Sequence, residues 1–160
     1  MRLTTKGRYA VTAMLDLAFH SERTPVTLMD IATRQTISLS YLEQLFSRLR
    51  RAEMVVVVRG PGGGYQLSRP VAEINISDII KAVDEQIDST QCGGETNCQN
   101  QKACLTHDLW MGLSNQIHHY LASISLADLL ERKPIQEVAS RQEQDVEHLI
   151  ELRREVIVRL

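Results

Sequence analysis

The sequence predicts a mainly α-helical protein with a small β-hairpin wing, in which a winged helix-turn-helix domain is followed by a long helix. Three observations predict this fold. A short helical segment and a longer one are separated by a tight turn at residues 36–38. A β-branched run at residues 55–58 leads into a turn with four glycines and one proline, which predicts a hairpin. The longer helical segment repeats apolar residues at i, i+3, i+4 and i+7, namely Leu42, Leu45, Phe46 and Leu49.

Capping motifs predict where the helices of this domain begin. The first helix is expected over residues 5–19, with alanine, methionine and leucine side chains on one face. Thr27 followed three residues later by Asp30 predicts a capping box at the start of the second helix. Ser40 followed by Glu43 predicts another capping box, at the start of the third helix.

Further helices are predicted in the second half of the chain. Ser77 is expected to cap a short helix, and a longer helix is expected over residues 106–123. Ser125 and Asp128 predict a capping motif for another short helix, which Pro134 is expected to break before a charged segment that can form a final helix. The long helix carries apolar residues spaced 3, 4, 3 and 4 apart, a heptad-type seam of Trp110, Leu113, Ile117, Tyr120 and Ile124.

The charge of the chain is divided between its halves. The net charge is −2, yet residues 1–70 carry 10 Lys and Arg against 5 Asp and Glu, whereas residues 71–160 carry 8 against 15. A basic segment joined to an acidic one is compatible with nucleic-acid contact on the basic side. No signal peptide and no apolar stretch long enough to cross a bilayer are recognised, so a cytoplasmic protein without membrane contact is expected.

The third helix and the hairpin are candidates for a DNA interface. The apolar stripe would pack the helix onto the first one, leaving short polar side chains on the opposite face to meet base edges in the major groove. Arg59, beside the glycine-rich tip, can enter a minor groove. The alternative is an ordinary surface helix and an ordinary hairpin turn, with Ser40 and Glu43 serving only as caps. The order of the elements and the basic charge favour DNA.

All three cysteines and one histidine lie in a short segment with few large apolar residues. Their spacing is Cys92-x5-Cys98-x5-Cys104-x2-His107. Structural zinc sites usually contain closely spaced cysteine pairs, which are absent here. Iron–sulfur clusters take thiolates and accept histidine in place of a cysteine. The spacing alone does not separate a cluster from zinc, and three reduced surface cysteines are the remaining alternative.

An enzyme is not expected. The chain has no C-x-x-C motif and no Ser/His/Asp order, which disfavours a small redox enzyme or a cluster-transfer protein. The glycines of residues 60–64 join two strands and do not open a helix, so they do not form a nucleotide-binding loop.

Four stretches of the sequence resemble the IscR family of bacterial iron–sulfur cluster assembly regulators. They are MRLTTKGRYAVTAMLDLA at the start, ISLSYLEQLFSRLR in the third helix, VRGPGGGY at the hairpin tip, and the cysteine segment that ends in CLTH. The resemblance covers about residues 1–130. A relative of the same fold that senses nitric oxide or a small thiol metabolite is the alternative, and the set of four ligands argues against it.

The resemblance implies a homodimer with a [2Fe–2S] cluster held by Cys92, Cys98, Cys104 and His107, received from the iron–sulfur assembly machinery. It implies a regulator that represses or activates cluster-assembly genes at double-stranded DNA operators, with cluster occupancy changing the DNA site preference. The helix over 106–123 matches the family's dimerisation helix. The residues that match the family's DNA contacts are Ser38, Ser40, Tyr41, Glu43, Gln44 and Arg59.

The chain is expected to divide into four parts. They are the DNA-binding domain (1–84), the cluster-binding loop (85–107), the dimerisation helix with the short helix after it (106–132), and a C-terminal segment (133–160). Thr36 and Glu53 depart from the family, which usually has glycine at these positions, where a left-handed backbone is expected.

Overall fold

The computed structural model describes residues 4–22, 24–85, 87–90 and 92–158, with side chains up to residue 154. These residues form seven α-helices, one antiparallel pair of strands and a 3₁₀ turn at Val71–Glu73. This architecture confirms the predicted class, mainly α with a small hairpin. In chain order the elements are α1 (Thr5–His20), α2 (Leu28–Gln35), α3 (Leu39–Arg51), β1 (Val55–Val58), β2 (Gly64–Leu67), α4 (Ile76–Ala82), α5 (His107–Ala122), α6 (Leu126–Leu130) and α7 (Lys133–Val158).

The hydrophobic core is built from α1, α3, α4 and the hairpin. The predicted stripe of α3 is buried, with no member more than 2% exposed. The ring of Phe46 meets the ring of Tyr65 edge-on at 4.8 Å, which connects α3 to β2. Burial of each large aliphatic side chain contributes about 1.5–3 kcal/mol, so α3 is fixed mainly by this one face. None of the segments described here contains a helix long and apolar enough to traverse a membrane.

The start of α3 differs from the prediction in the residue that caps the helix. The Thr27 and Asp30 capping box at the start of α2 is present. Thr36 ends α2 in the left-handed conformation, with φ of 54°, as expected from its position. The capping box predicted at Ser40 and Glu43 is wrong, because α3 already begins at Leu39 with Ser38 as its N-cap. The helix therefore begins two residues earlier than predicted, which leaves the Ser40 and Glu43 side chains outside the capping position.

The hairpin is held by close backbone packing. Its register pairs Val55 with Leu67 and Val58 with Gly64. A Cβ atom at Gly64 would lie 2.5 Å from the carbonyl oxygen of Val26, and one at Gly63 would lie 2.3 Å from that of Val58. Close contact therefore requires Gly63 and Gly64, whereas the positive φ of the turn favours glycine at Gly60 and Gly62.

The second half of the chain corrects two predicted boundaries. Asn75, and not Ser77, caps α4, since its side chain accepts the hydrogen bond from the Asp78 amide. Ser77 lies inside α4, is buried, and its Oγ is 3.0 Å from Nδ1 of His118 on α5. The predicted Ser125 capping box is present, but Pro134 lies in the first turn of α7, where a proline fits a helix without loss of a hydrogen bond.

Candidate metal centre and nucleic-acid interface

Three of the four predicted metal ligands converge on one point. The ligand atoms of Cys92, Cys98 and His107 all lie within 4.8 Å of one another. Nδ1 of His107 is 3.5 Å from Sγ of Cys92 and 3.6 Å from Sγ of Cys98. Each side chain is half-buried, so the group is shielded and still reachable from solvent. Two sulfurs and one imidazole nitrogen form a group that could hold a metal ion.

The fourth predicted ligand, Cys104, lies beside this group. Its backbone amide donates a hydrogen bond of 3.0 Å to Sγ of Cys98. Its own Sγ is 3.8 Å from the hydroxyl of Thr106 and stands outside the trio. All four side chains nevertheless line one cavity of about 470 Å³, which Trp110 also borders.

The start of α5 places His107 in the cavity. His107 is the first residue of this helix, and its amide donates to the carbonyl of Cys104 at 3.1 Å, so a single turn separates the last cysteine from the helix. This explains how a two-residue spacer brings a cysteine and a histidine to the same cavity wall.

Asp88 anchors the other end of the segment, a role that the sequence analysis missed. Its carboxylate accepts hydrogen bonds from the amide of Thr90 at 2.7 Å and from the hydroxyl of Ser114 on α5 at 3.4 Å. The Thr90 hydroxyl also donates to this carboxylate. The backbone hydrogen bond from Thr90 is the largest cause of a lowered pKa of Asp88, followed by the Thr90 hydroxyl. The Asp-x-Thr order is a known turn signal and was the available clue.

Hydrogen bonds adjust the acidity of the cysteines. Burial opposes ionisation of Cys92, but donors from the Gly94 backbone, the Thr90 hydroxyl and the Thr96 backbone outweigh it and lower its pKa to about 7. The pKa of Cys104 is lowered as well, chiefly by the Cys98 side chain and then by the Thr106 backbone.

The thiol of Cys98 behaves in the opposite way. The amide of Cys104 favours its thiolate, yet burial and the neighbouring thiols of Cys104 and Cys92 prevail and raise its pKa. Thiolates are the forms that bind metals, so the segment offers a ready ligand in Cys92 at neutral pH.

The predicted DNA-contact residues occupy two places. Ser38, Ser40, Glu43 and Gln44 are exposed at the start and outer face of α3. Arg59 is exposed immediately after β1, at the base of the hairpin tip. The structure does not test their contacts with DNA, but it leaves these five side chains accessible.

Tyr41, the sixth predicted DNA-contact residue, has a packing role. It is half-buried, packs against the core, and meets the ring of Tyr9 edge-on at 5.8 Å. Ser47 and Arg51 share a shallow depression with Ser40, Glu43 and Gln44, although the sequence analysis did not place them in the site. Their spacing on the polar face of the helix was the available signal.

Comparisons with known proteins identify the family. The sequence model of the Rrf2 family, described as an iron-dependent transcriptional regulator, matches residues 3–132. The HTH-type transcriptional regulator IscR of Xenorhabdus nematophila is 57% identical over 145 residues, which cover 91% of this chain and 88% of that protein.

Two solved structures share the fold. T. potens IscR has a TM-score of 0.69 and 38% identity, covering 82% of this chain and 87% of that chain. CymR, the global cysteine regulator of B. subtilis, has a TM-score of 0.70 and 32% identity, covering 81% and 95%. Because these relatives are transcriptional regulators, the protein is a DNA-binding regulator of transcription and not an enzyme. The chain belongs to the Rrf2 family.

Proposed function

We propose that this regulator senses iron–sulfur cluster status by binding a [2Fe–2S] cluster through Cys92, Cys98, Cys104 and His107. The observation that carries the proposal is the convergence of two thiols and one imidazole within 4.8 Å at the start of α5. The donor set is suited to an iron–sulfur centre, and the likeness to proteins named IscR supports it. The cluster would come from the iron–sulfur assembly machinery.

The residues of the cavity fit such a group. Its thiols and imidazole are half-buried, and Cys104 lies next to the other three ligands, since its amide contacts Sγ of Cys98 and its side chain lines the same cavity. When bound, the cluster supplies a redox-active and oxygen-sensitive centre. The protein would hold the cluster with the segment between Asp88 and α5. This segment would close around the cluster through these four side chains.

The α3 face and the hairpin would read an operator in double-stranded DNA. Ser38, Ser40 and Gln44 offer hydrogen-bonding groups to base edges, while Arg59 offers a cation to a phosphate or a narrow minor groove. The Glu43 carboxylate accepts hydrogen bonds only from donors such as cytosine N4, so it selects against other bases. Tyr41 would orient α3 through its contact with Tyr9, in addition to any contact with DNA.

A homodimer would form through α5. This helix buries no residue in the single chain, and its seam leaves large apolar side chains exposed, with Trp110 at 41%, Leu113 at 37% and Tyr120 at 61%. Ile124, the last predicted member of the seam, is wrong in this role, because it lies beyond the end of α5 and is buried in the core. Pairing two such seams would remove this surface from water and place two α3 helices on successive major-groove faces of an operator.

Cluster binding and DNA choice would be coupled through the position of the binding loop. We divide the chain into the DNA-binding domain 1–84, the cluster-binding loop 85–107, the dimerisation region 106–132 and the C-terminal segment 133–160. Because the loop lies between the first and third parts, closing it around a cluster would shift how the two α3 helices are presented. The regulator would thereby repress or activate cluster-assembly genes according to cluster supply.

Anaerobic purification followed by visible absorption spectroscopy and iron and sulfide analysis tests the proposal. The wild-type chain is used to select DNA duplexes from a randomised library. Binding of the protein to these duplexes is then measured with and without the cluster. His107→Ala should lose the visible bands and the cluster-dependent change in DNA preference. The matched control His119→Ala, an exposed histidine on the same helix, should keep both. A colourless protein that holds zinc, or DNA binding indifferent to the cluster at every site, would contradict it.

A further inference from the structure

The C-terminal helix α7 lies beyond the residues that the family's sequence model matches. The match ends at residue 132, and α7 begins at Lys133 and runs for 26 residues. The helix nevertheless packs back against α2, the helix that precedes the recognition helix α3. An element outside the matched region therefore contacts the part of the fold that presents α3.

The contact between α7 and α2 is a pair of amide hydrogen bonds. The side chains of Gln35 and Gln142 exchange two hydrogen bonds, of 3.0 and 3.1 Å. Beside them, Nε2 of His20 on α1 is 3.1 Å from a carboxylate oxygen of Glu143. Both ends of the amide of Gln35 are thereby engaged by α7.

Gln35 also belongs to a network around a buried carboxylate. Asp16 on α1 is 2% exposed, and its oxygens accept from Gln35 at 2.7 Å and from two nitrogens of Arg34, at 2.7 and 3.0 Å. A buried carboxylate requires such partners, because leaving it unpaired is costly. Arg34 and Gln35 are the last two residues of α2, directly before the left-handed Thr36 and the turn into α3.

Apolar packing between α1 and α7 is incomplete. A cavity of about 410 Å³ separates them, bordered by Leu15 and Phe19 on one side and Ile135 and Val138 on the other. Val138 remains 42% exposed. Because the apolar surfaces do not close, the hydrogen bonds of Gln142 to α2 and the contact of Glu143 with His20 on α1 fix the geometry of the contact.

We propose that α7 braces the helix-turn-helix, with Gln142 as a positioning residue for DNA binding. Gln142 fixes the side chain of Gln35, which with Arg34 holds the end of α2 on Asp16 and so sets the direction in which the turn delivers α3. Gln142 itself need not touch DNA. The inference rests on α3 as the DNA-reading helix.

A double-mutant cycle tests the brace in the full-length chain. The probe is a fluorescent duplex selected by the wild-type chain from a randomised library. Gln142→Ala should weaken its binding by about three- to tenfold, the effect of losing a half-buried pair of hydrogen bonds. Gln144→Ala removes the same side chain from an exposed site on the same helix and should leave binding unchanged. In a Gln35→Ala background, Gln142→Ala should have no further effect, since its action passes through Gln35.

Amide hydrogen exchange of residues 35–38 without DNA gives a second readout. It should become faster in Gln142→Ala and stay unchanged in Gln144→Ala, while circular dichroism shows both variants folded. The brace is contradicted if Gln142→Ala and Gln144→Ala bind DNA equally well. It is also contradicted if Gln142→Ala has its full effect in the Gln35→Ala background. Either result leaves the DNA-reading role of α3 intact. A wild-type chain that selects no duplex contradicts both the brace and the proposed DNA-reading role of α3.

Discussion

The helix-turn-helix and the cysteine segment are shaped by different forces. The first is built on side chains such as Met14, Leu42 and Phe46, which are fully buried in one core. The second contains no fully buried side chain in its described part, and local hydrogen bonds accepted by Asp88 and Thr90 hold it instead. A segment with few buried apolar contacts opens at low cost, whereas a packed core opens only with the whole domain. The proposed DNA-reading surface is therefore preformed, whereas the cysteine segment is expected to become rigid only when it binds a ligand.

The largest expected effect is on the core. Phe46→Ala removes a buried ring that joins α3 to the hairpin and should lower the free energy of unfolding by about 3–5 kcal/mol. Urea denaturation measures it. Leu109→Ala, at an exposed position on α5, is the control and should change the monomer's stability little. A loss below about 1 kcal/mol in Phe46→Ala would mean that the core is less tightly packed than the burial of its side chains indicates.

Ligand loading should have the next largest effect. Filling the cysteine site at a hundredfold excess over its dissociation constant adds about 2.7 kcal/mol of stability, because only the folded chain presents the ligands together. Without metal, Cys92→Ser should have the same free energy of unfolding as the wild type, within about 0.5 kcal/mol. On loading, its stability should increase much less than that of the wild type. Thermal melting with and without reconstitution measures both. A large loss of stability in the metal-free variant would show that the segment is structural by itself.

Thr36→Gly should raise stability slightly or leave it unchanged. The left-handed backbone at φ of 54° costs a residue with a Cβ about 1–2 kcal/mol, whereas glycine adds an entropic penalty of only about 0.5–1 kcal/mol. Thr33→Gly, inside α2, is the control and should destabilise by about 0.3 kcal/mol, the difference in helix propensity between threonine and glycine. Melting temperatures measure both variants. A clear drop for Thr36→Gly would contradict the backbone geometry of the turn.

The smallest effect is local and depends on pH. Hydrogen bonds lower the pKa of Asp88 in the folded chain, so their stabilisation is complete above the ordinary aspartate pKa of 3.8 and is lost as the pH falls through the lowered value. Asp88→Asn should speed amide exchange of Thr90 and Gly94 at neutral pH, and the difference from the wild type should shrink on acidification below 3.8. Asp108→Asn, at an exposed site, is the control. Exchange rates equal to the wild type at neutral pH would show that Asp88 does not anchor the segment.

The sequence predicted the elements better than it predicted their caps. Periodic burial made α1, α3 and the hairpin recognisable to within a residue or two, because one apolar face fixes each of them. Serine is a common cap, so the sequence predicts Ser40 and Ser77 in this role, but Ser38 and Asn75 precede them and begin the helices earlier. Competing cap residues a short distance apart are not distinguished by composition alone.

The features that the sequence does not predict depend on contacts between residues that are distant in the chain. The four metal-ligand candidates follow from spacing and resemblance, and the structure brings Cys92, Cys98 and His107 together without testing what they bind. Asp16 binds Arg34 and Gln35, which follow it in the sequence by 18 and 19 positions, and Gln35 binds Gln142 across 107 positions. No local pattern in the sequence marks such pairs.

The close backbone contacts of the hairpin tip have a consequence for protein engineering. Any side chain at Gly63 or Gly64 would collide with a carbonyl oxygen of the fixed backbone, so the turn would have to open before it could accept one. A library intended to alter the DNA sites that the hairpin is proposed to contact should therefore keep both glycines and randomise exposed neighbours such as Arg59. The library would then vary only side chains that face outward, and few of its members would fail to fold.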